Sequence, residues 1–485
     1  MWRPAVVASA IVTHVTALGA GFVWLDHAHI EGKLATLPPH LWPALFTHGF
    51  AGTGYWRPLT ALSLSVDALA SSPLFFHLTS IAWHAVAALM LFHAAQVLGL
   101  ARRAAGVAGI LFAVHPVSAL VADAIAFRSE AMLAVALFTL VFAHEKKRPR
   151  LAVAAIVLGA LTKETMFVLA PLFVFALELG SPKRRGMLLA EATSLAVMFG
   201  IRTAFAPAWR ASQPALGFGD ALGTRFASVA KSAAAIVLPI DRSICDAFPI
   251  THAWQPTAIA GAVALGAVAW QAWRRRGIVL LLALSLVPLL QIVPVSRWWS
   301  PHYLYVPLAF VAMLVARAIE KRTPLVAVIG VVLGGLTLRE GLRYEDDVAL
   351  WTPEVLAQPM CREGQFYLGE YAQEAGDWDL AAKHYEAALA PNARILAYVD
   401  ERAALENLGV VRAFQRRFAD ARRAFASALE RTQDEAARRE LTYNLAAATF
   451  EEGDRAGAAR LLEPEIARPD ALPAAVELHR RATAP

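Results

Sequence analysis

The first acidic residue after the amino-terminal apolar run is Asp26, and His27, His29 and Glu31 follow it within five residues. The apolar run, residues 4–24, is long enough to cross a bilayer, so we expect Asp26 at a boundary with water. A carboxylate in such a place can accept a proton from a hydroxyl, or it can ligate a metal ion. The alternative is a polar helix end that only meets water. Asp26 is therefore a candidate general base, and His27 and His29 are weak candidate ligands for a divalent metal.

Further polar residues stand next to apolar runs, where a charge is costly to place and tends to mark function. They are Arg57, His115, Asp123, Arg128, Glu130, Lys163, Glu164, Arg297, His302 and Tyr303. Each has a purely structural alternative. Arg128 and Glu130 could pair only with each other, Lys163 and Glu164 could mark a tight turn, and His115 could end a helix before a proline. Together they favour one polar cavity in which acids and cations bind a phosphate and a hydroxyl.

The composition predicts a polytopic membrane protein, because 57% of the 485 residues are hydrophobic and only 17% are charged. Eleven candidate membrane helices fall near residues 4–24, 74–98, 104–118, 120–143, 151–162, 164–180, 187–206, 257–273, 278–294, 303–319 and 324–338. If every run crosses, the basic clusters lie on one side, which the positive-inside rule makes the cytoplasm. These clusters are Arg102–Arg103, Lys146–Arg150, Lys183–Arg185, Arg274–Arg276 and Arg317–Arg322. The amino terminus is then cytoplasmic, in a bacterial inner membrane or its equivalent.

Charge and cysteine content exclude some classes. The net charge of +6 does not predict nucleic-acid binding, because the basic residues are scattered in short clusters between apolar runs. Cys245 and Cys361 are too few for a disulfide scaffold or a zinc cluster. Both fall on the predicted outer side, where disulfides persist, so a bridge between them is a hypothesis.

After residue 344 the composition changes and an internal repeat begins. Its anchors are Leu368-Gly369, Ala381, Tyr385 and Ala388, which recur 40 residues later as Leu408-Gly409, Ala421, Phe425 and Ala428. A weaker third copy has Asn444-Leu445-Ala446, Gly453, Ala458 and Leu462. Small residues let paired helices approach and the aromatic residue fills the gap, as in tetratricopeptide repeats. The alternative is an unrelated helical bundle.

The order of these motifs carries a family resemblance. They are Phe22-Val23, Asp26, Arg57-Pro58-Leu59-Thr60, His115-Pro116-Val117, Arg128, Glu130, Lys163-Glu164 and Tyr303-Leu304-Tyr305-Val306-Pro307, followed by the repeats. In this order the chain resembles the transmembrane-and-tetratricopeptide-repeat O-mannosyltransferases and the wider lipid-dependent glycosyltransferases of the GT-C fold. The likeness covers nearly the whole chain, although no single motif is specific.

The resemblance implies an all-α fold in two parts. Residues 1–340 would form a GT-C-like transmembrane domain, with a first outer loop at 25–73 and an outer segment at 207–256. Residues 345–485 would form a tetratricopeptide-repeat α-solenoid outside the cytoplasm.

The resemblance also implies an activity, the transfer with inversion of a sugar from a polyprenyl-phosphate donor to a hydroxyl on the non-cytoplasmic face. Mannose is one candidate sugar. Asp26 would be the base, with Asp123 and Glu130 as further catalytic acids. Candidate donor-phosphate or substrate-binding residues are Arg57, His115, Arg128, Lys163, Glu164, Arg297, His302 and Tyr303. Expected partners are the lipid-linked donor, membrane lipids and a protein or glycan acceptor held by the repeats, and no other cofactor is certain.

Three positions depart from the family pattern. The family has an acid where Leu25 stands, an acid where Leu120 stands and an arginine where His302 stands. Asp123 lies one helical turn after Leu120 and could serve on the same face, and Arg297 could compensate for His302.

Two other functions stay open, a non-catalytic membrane scaffold for envelope assembly and a ligase or polymerase for a surface glycan. The missing acids at Leu25 and Leu120 favour a scaffold modestly. A transporter is less favoured, because the hydropathy shows no repeated half-pattern.

Overall fold

The structure is a computed structural model that describes residues 2–179, 185–206, 215–240, 243–292 and 297–484. Lys183 and Arg184 of the predicted basic clusters lie outside the described residues, as do parts of the outer segment 207–256. The chain divides into two compact units. Residues 1–244 and 249–350 form the first unit, and residues 245–248 and 351–485 form the second.

Most of the described residues of the first unit are helical. Its helices are α1 (Trp2–Thr13), α2 (Pro58–Ala68), α3 (Pro73–Val97), α4 (Arg102–Ala113), α5 (Ala119–Asp123), α6 (Arg128–Glu145), α7 (Pro149–Ala160), α8 (Met166–Glu178), α9 (Arg185–Phe205), α10 (Phe218–Val237), α11 (Pro256–Arg275), α12 (Gly277–Ser285), α13 (Tyr305–Ile319) and α14 (Thr323–Gly341). Short 3-10 segments lie at Val15–Gly19, Pro39–Phe46, Phe50–Gly52, Pro116–Ser118, Ile125–Phe127, Val287–Leu290, Pro301–Leu304 and Leu342–Tyr344, and one π-helix spans His27–Leu34.

Five helical stretches of the described residues are long and apolar enough to cross a membrane, or six if one bent pair is a single span. The five are Pro73–Val97, Ile125–Glu145, Gly186–Phe205, Pro301–Ile319 and Thr323–Tyr344, and the bent pair is Arg102–Ala113 with Pro116–Asp123. Shorter apolar helices cover Pro149–Ala160, Met166–Glu178 and Gly277–Leu290. The eleven crossings expected from hydropathy therefore stay a prediction. Hydropathy predicts more crossings than there are membrane-length helices among the described residues. The apolar run 4–24 is an example, because its helix α1 already ends at Thr13.

Aromatic side chains hold the centre of the first unit together. Phe112 of α4 packs on Tyr305 of α13 with ring centroids 4.8 Å apart, and it meets the edge of Phe138 of α6 at 6.2 Å. Phe310 of α13 contacts Phe138 at 6.4 Å and Phe173 of α8 at 5.4 Å. Edge-to-face pairs of this kind add about 0.5–1.5 kcal/mol each beyond the burial of their area. Helices α4, α6, α8 and α13 thus form one packed group.

The second unit is built from consecutive helices. They are α15 (Asp347–Ala357), whose first four residues belong to the first unit, α16 (Arg362–Glu374), α17 (Trp378–Leu389), α18 (Glu401–Phe414), α19 (Phe418–Glu430), α20 (Glu435–Glu451), α21 (Arg455–Ile466) and α22 (Pro473–Thr483). The strands β1 (Phe248–Pro249) and β2 (Ile395–Leu396) pair in a small sheet. From α16 to α22 each helix packs against the next. The repeat predicts this order of packing, and its assignment to the tetratricopeptide class stays a prediction.

The repeat anchors meet each other in space. Gly369 of α16 faces the ring of Tyr385 in α17, where an added Cβ would lie 2.8 Å from the ring. Forty residues on, Gly409 of α18 faces Phe425 of α19, where the corresponding distance is 2.6 Å. Both aromatic side chains are buried. Glycine is therefore required at both positions because the ring occupies the space of a side chain.

Both cysteines belong to the second unit, buried and unbridged. The thiols are hydrogen-bonded to each other, and that bond together with burial raises the pKa of Cys361. The hypothesised disulfide is thus absent from the structure, although the two side chains are neighbours.

The packing of Gly409 against Phe425 predicts the effect of a single methyl group. Gly409→Ala is expected to destabilise the α18–α19 pair by about 1–3 kcal/mol, because the Cβ overpacks the ring. Hydrogen exchange of peptides from these two helices in the full chain should accelerate about tenfold or more.

The double variant Gly409→Ala with Phe425→Leu is the control. A smaller side chain at 425 makes room for the methyl group, so the two changes should cost less together than their separate effects sum to. Additive effects would contradict the proposed contact.

Candidate functional site

The backbone around Asp26 is unusual. Trp24 has a left-handed φ of 58°, which costs a residue with a side chain about 1–3 kcal/mol and is concentrated at functional sites. The π-helix His27–Leu34 begins directly after Asp26. Short π segments are rare in proteins as a whole, and many of those that occur lie at functional sites. The local geometry therefore singles out the same stretch as the sequence does.

The Asp26 carboxylate is fully buried, so the expected boundary with water is wrong. Oδ1 accepts a hydrogen bond from the Ala126 N–H at 2.7 Å, and Oδ2 accepts one from the Val23 N–H at 3.3 Å. Burial raises the pKa of Asp26 to about 7, although the two backbone bonds oppose the rise. Near neutral pH this carboxylate can both lose and take up a proton, which is the property of a general base.

Two neighbouring residues in the connection between α7 and α8, Lys163 and Glu164, each form an ion pair. The Lys163 Nζ lies 2.5 Å from Oε1 of Glu130, and the Arg57 Nε lies 3.0 Å from Oε2 of Glu164. Glu164 also accepts the Trp56 N–H at 2.8 Å. The adjacent residues 163 and 164 thus join two partners from elsewhere in the chain instead of marking only a turn.

His29 shows that a third cation belongs to this group. Burial, together with the charges of Arg57, Arg297 and Lys33, lowers the pKa of His29 to about 3. We call Arg57, Lys163 and Arg297, with the paired acids Glu130 and Glu164, the cationic cluster. A site where positive charges converge suits an anion such as a phosphate.

A row of rings joins the Asp26 stretch to the cationic cluster. The Trp24 ring lies 4.9 Å from Phe127, and Phe127 lies 4.8 Å from His302. The Arg297 guanidinium stands 5.1 Å from the Trp24 ring centroid, and the His302 Nε2 lies 3.6 Å from Glu130. The predicted base and the predicted phosphate partners therefore occupy one region of the first unit.

Residues 300–303 line the same region through local contacts. The Tyr303 hydroxyl donates to the Arg297 carbonyl at 3.1 Å, and its ring packs on His302 at 4.2 Å. The Ser300 hydroxyl and the His302 Nδ1 are 2.7 Å apart. Tyr303 thus fixes the backbone that carries Arg297.

The structure places Arg128 away from Glu130. Its guanidinium pairs with Asp67 at 2.5 Å and donates to the hydroxyls of Ser63 and Ser80, both at 3.0 Å. Arg128 is completely buried, so these contacts are what make its charge tolerable. It joins α2 and α3 to α6.

Asp123 and His115 also have structural partners. Asp123 lies 2.8 Å from the Nδ1 of His14, and both side chains are completely buried. The His115 Nδ1 accepts the Val117 N–H at 3.2 Å, and its Nε2 lies 2.9 Å from the Ile236 carbonyl. His115 thus ties the start of a short helix to the end of α10.

His27 and His29, the two histidines that follow Asp26 in the first outer loop, have different neighbours. His27 lies between Glu31, at 2.5 Å, and Asp347, at 2.8 Å. His29 is surrounded by cations, which would repel a metal ion. Within the described ranges, no group of three or more potential ligands is placed to hold a metal.

The sequence analysis missed three partners of the site, His14, Asp67 and Asp347. His14 interrupts the apolar run 4–24, and an ionisable residue there is a signal in itself. Asp67 and Asp347 carry no such signal, because each acts through a contact distant in sequence.

Comparison with characterised proteins finds a partial similarity. Over 119 residues the chain is 35% identical to Protein O-mannosyl-transferase Tmtc1 of Drosophila melanogaster and 34% identical to Protein O-mannosyl-transferase Tmtc2 of the same organism. The match covers 22% of this chain and 14% and 13% of the two relatives, so the chain spans about one seventh of their length. No family model matches the chain, and no solved structure matches it.

The buried ion pair of Lys163 with Glu130 predicts that the chain loses stability when one charge of the pair is removed. Burial lowers the pKa of Lys163, and the Glu130 carboxylate opposes this shift. Glu130→Gln removes the compensating charge, which for a buried pair costs about 3–5 kcal/mol. The thermal unfolding midpoint of the full chain should fall clearly.

Glu477→Gln makes the same chemical change in an exposed pair with Arg480. Solvent screens that pair, so the midpoint should stay where it is. Equal effects of the two substitutions would show that burial does not govern the Lys163 pair.

Proposed function

We propose that this chain is an inverting glycosyltransferase that moves a sugar, mannose being the first candidate, from a polyprenyl-phosphate donor to a hydroxyl. The observation that carries the proposal is the position of Asp26, a buried carboxylate with a pKa of about 7 in the same region as the cationic cluster. The partial similarity to two named O-mannosyltransferases supports the same chemistry. The five membrane-length helices fit a donor whose lipid tail stays in the bilayer.

The charge environment of the three predicted acids favours Asp26 as the base. Glu130 is paired with Lys163 and Asp123 with His14. The hydrogen bonds of Asp26 come from backbone N–H groups instead. A carboxylate without a cationic partner keeps its affinity for a proton, so Asp26 can take the proton of the acceptor hydroxyl as that oxygen attacks the anomeric carbon.

The cationic cluster would stabilise the leaving group. As the bond between sugar and phosphate breaks, negative charge grows on the lipid phosphate. Arg57, Lys163 and Arg297 would supply the positive charge that stabilises this phosphate. Attack opposite the departing phosphate inverts the anomeric centre in a single displacement. No step in this scheme requires a metal ion.

We further propose that the second unit binds the acceptor, a protein or a glycan. Its consecutive helices are expected to form a tetratricopeptide solenoid, whose stacked helix pairs offer a concave surface. In this scheme the second unit lies outside the cytoplasm, on the face where transfer takes place.

The test of the proposed function is transfer from a labelled polyprenyl-phosphate mannose by the purified chain. Asp26→Asn is expected to lower the transfer rate by about 10²–10⁴-fold, because the proton acceptor is lost. In the unmodified protein the rate should rise with pH through about 7 and then level off, since only the deprotonated form of Asp26 acts as a base.

Asp123→Asn is the companion variant. It should lower the rate less than Asp26→Asn, and the two changes should combine less than additively if both act on one step. Unchanged transfer by Asp26→Asn would remove Asp26 from the mechanism. Absence of transfer by the unmodified protein would favour the scaffold, and transfer from an oligosaccharide donor alone would favour a ligase.

The proposed orientation can be tested separately with reporter fusions. Fusions at residues 148 and 276 should report the cytoplasm, because both follow basic clusters. A fusion at residue 345 should report the opposite side. A cytoplasmic signal at 345 would contradict the eleven-crossing topology.

A further inference from the structure

Asp347 contacts the Asp26 stretch on both sides of the proposed base. Its Oδ1 accepts the backbone N–H of Trp24 at 2.8 Å, and its Oδ2 lies 2.8 Å from the Nε2 of His27. Two residues earlier, the Glu345 carbonyl accepts the N–H of Gly21 at 3.1 Å. Residues 345–347 therefore hold the chain from 21 to 27 by three hydrogen bonds.

One of these bonds falls on the strained residue. Trp24 is held at a left-handed φ of 58°, which persists only when its surroundings determine it. The Asp347 carboxylate accepts the N–H of this residue, and charge-assisted hydrogen bonds are about twice as strong as neutral ones. The Trp24 ring in turn packs on Phe127, whose neighbour Ala126 donates to Asp26.

We propose that Asp347 is a positioning residue for the base, holding the Trp24 backbone and the His27 ring so that the Asp26 carboxylate keeps its place at the N–H groups of Val23 and Ala126. The inference rests on the proposed function for the role of Asp26 as base. It concerns a residue outside every motif that the sequence pointed to.

Asp347 also acts on Asp26 through its charge. Burial is the main cause of the raised pKa of Asp26, and the negative charge of Asp347 raises it further. The opposing charges are those of His27 and Arg128, and Arg128 is already paired with Asp67.

His27 is itself tied to Asp347. Burial lowers the pKa of His27, but hydrogen bonds to Asp347 and Glu31 outweigh this effect and raise it to about 9. His27 is therefore protonated at neutral pH.

The test measures the titration of the Asp26 carboxyl directly, and it needs neither a sugar donor nor a sugar acceptor. Dicyclohexylcarbodiimide reacts with protonated carboxyl groups in apolar surroundings, so labelling of the Asp26 peptide against pH gives its titration midpoint by mass spectrometry. The full chain in detergent should give a midpoint near pH 7. Asp347→Asn keeps an acceptor for the Trp24 N–H and removes the charge, so the midpoint should fall by about half a pH unit or more.

Asp346→Asn is the matched control. It removes the same charge one residue away, where the exposed Asp346 accepts only the Ala349 N–H, a bond that asparagine can keep. Its midpoint should equal that of the unmodified chain. Equal midpoints for Asp347→Asn and Asp346→Asn would overturn the proposal.

Asp347→Ala removes both the charge and the two hydrogen bonds. It should shift the midpoint as Asp347→Asn does and also speed labelling at low pH, because the Trp24 backbone is no longer held. In the transfer assay it should lower kcat about tenfold or more while leaving KM for the donor unchanged, since the cationic cluster is intact. A change in KM alone would contradict a positioning role.

The two proposals fail in different ways. If the unmodified chain transfers no sugar, the proposed function fails, while the shift of the Asp26 midpoint still decides whether Asp347 controls this carboxyl. If Asp347→Ala does not fold, Asp347→Asn and its control carry the test, because asparagine keeps the bond to Trp24 but loses the acceptor that holds the His27 ring.

Discussion

A charge buried among apolar helices costs several kcal/mol unless an opposite charge or hydrogen bonds compensate it. The first unit meets this constraint with pairs that are distant in sequence. Arg128 with Asp67 joins α6 to α2, and Lys163 with Glu130 joins the α7–α8 connection to α6. Each pair thus fixes where one helix stands relative to another. The candidate site is the place where several of these pairs come together.

Asp26 is stabilised by backbone N–H groups and not by a salt bridge, and this difference makes it a candidate base. Its carboxylate is buried as deeply as those of the paired acids, yet its hydrogen bonds come from backbone N–H groups. Burial outweighs the two backbone donors, so the pKa of Asp26 rises to about 7.

The second unit follows a different physical rule. Its helices pair because a small residue on one faces an aromatic ring on the next, as Gly409 faces Phe425. The same contact recurs 40 residues earlier with Gly369 and Tyr385, so one local solution is used twice.

The sequence by itself determined what local composition and spacing can fix. Apolar run length indicated membrane helices, the 40-residue offset indicated the repeated helix pair, and the position after the first run singled out Asp26. It also placed Arg57, Lys163 and Arg297 among the candidates. These properties depend on residues that are neighbours in the chain, and hydropathy and spacing report such neighbours directly.

Only the tertiary structure decided which charges meet. Glu130 pairs with Lys163 and not with Arg128, Asp123 lies against His14, and Asp26 is buried and not at a boundary with water. The partners Lys163 and Glu130 are 33 residues apart, and His14 and Asp123 are 109 apart. His27 and Asp347 are 320 residues apart, and no local pattern encodes a contact of that range. Burial and pairing depend on how helices pack, so the environment of each acid is decided only in three dimensions.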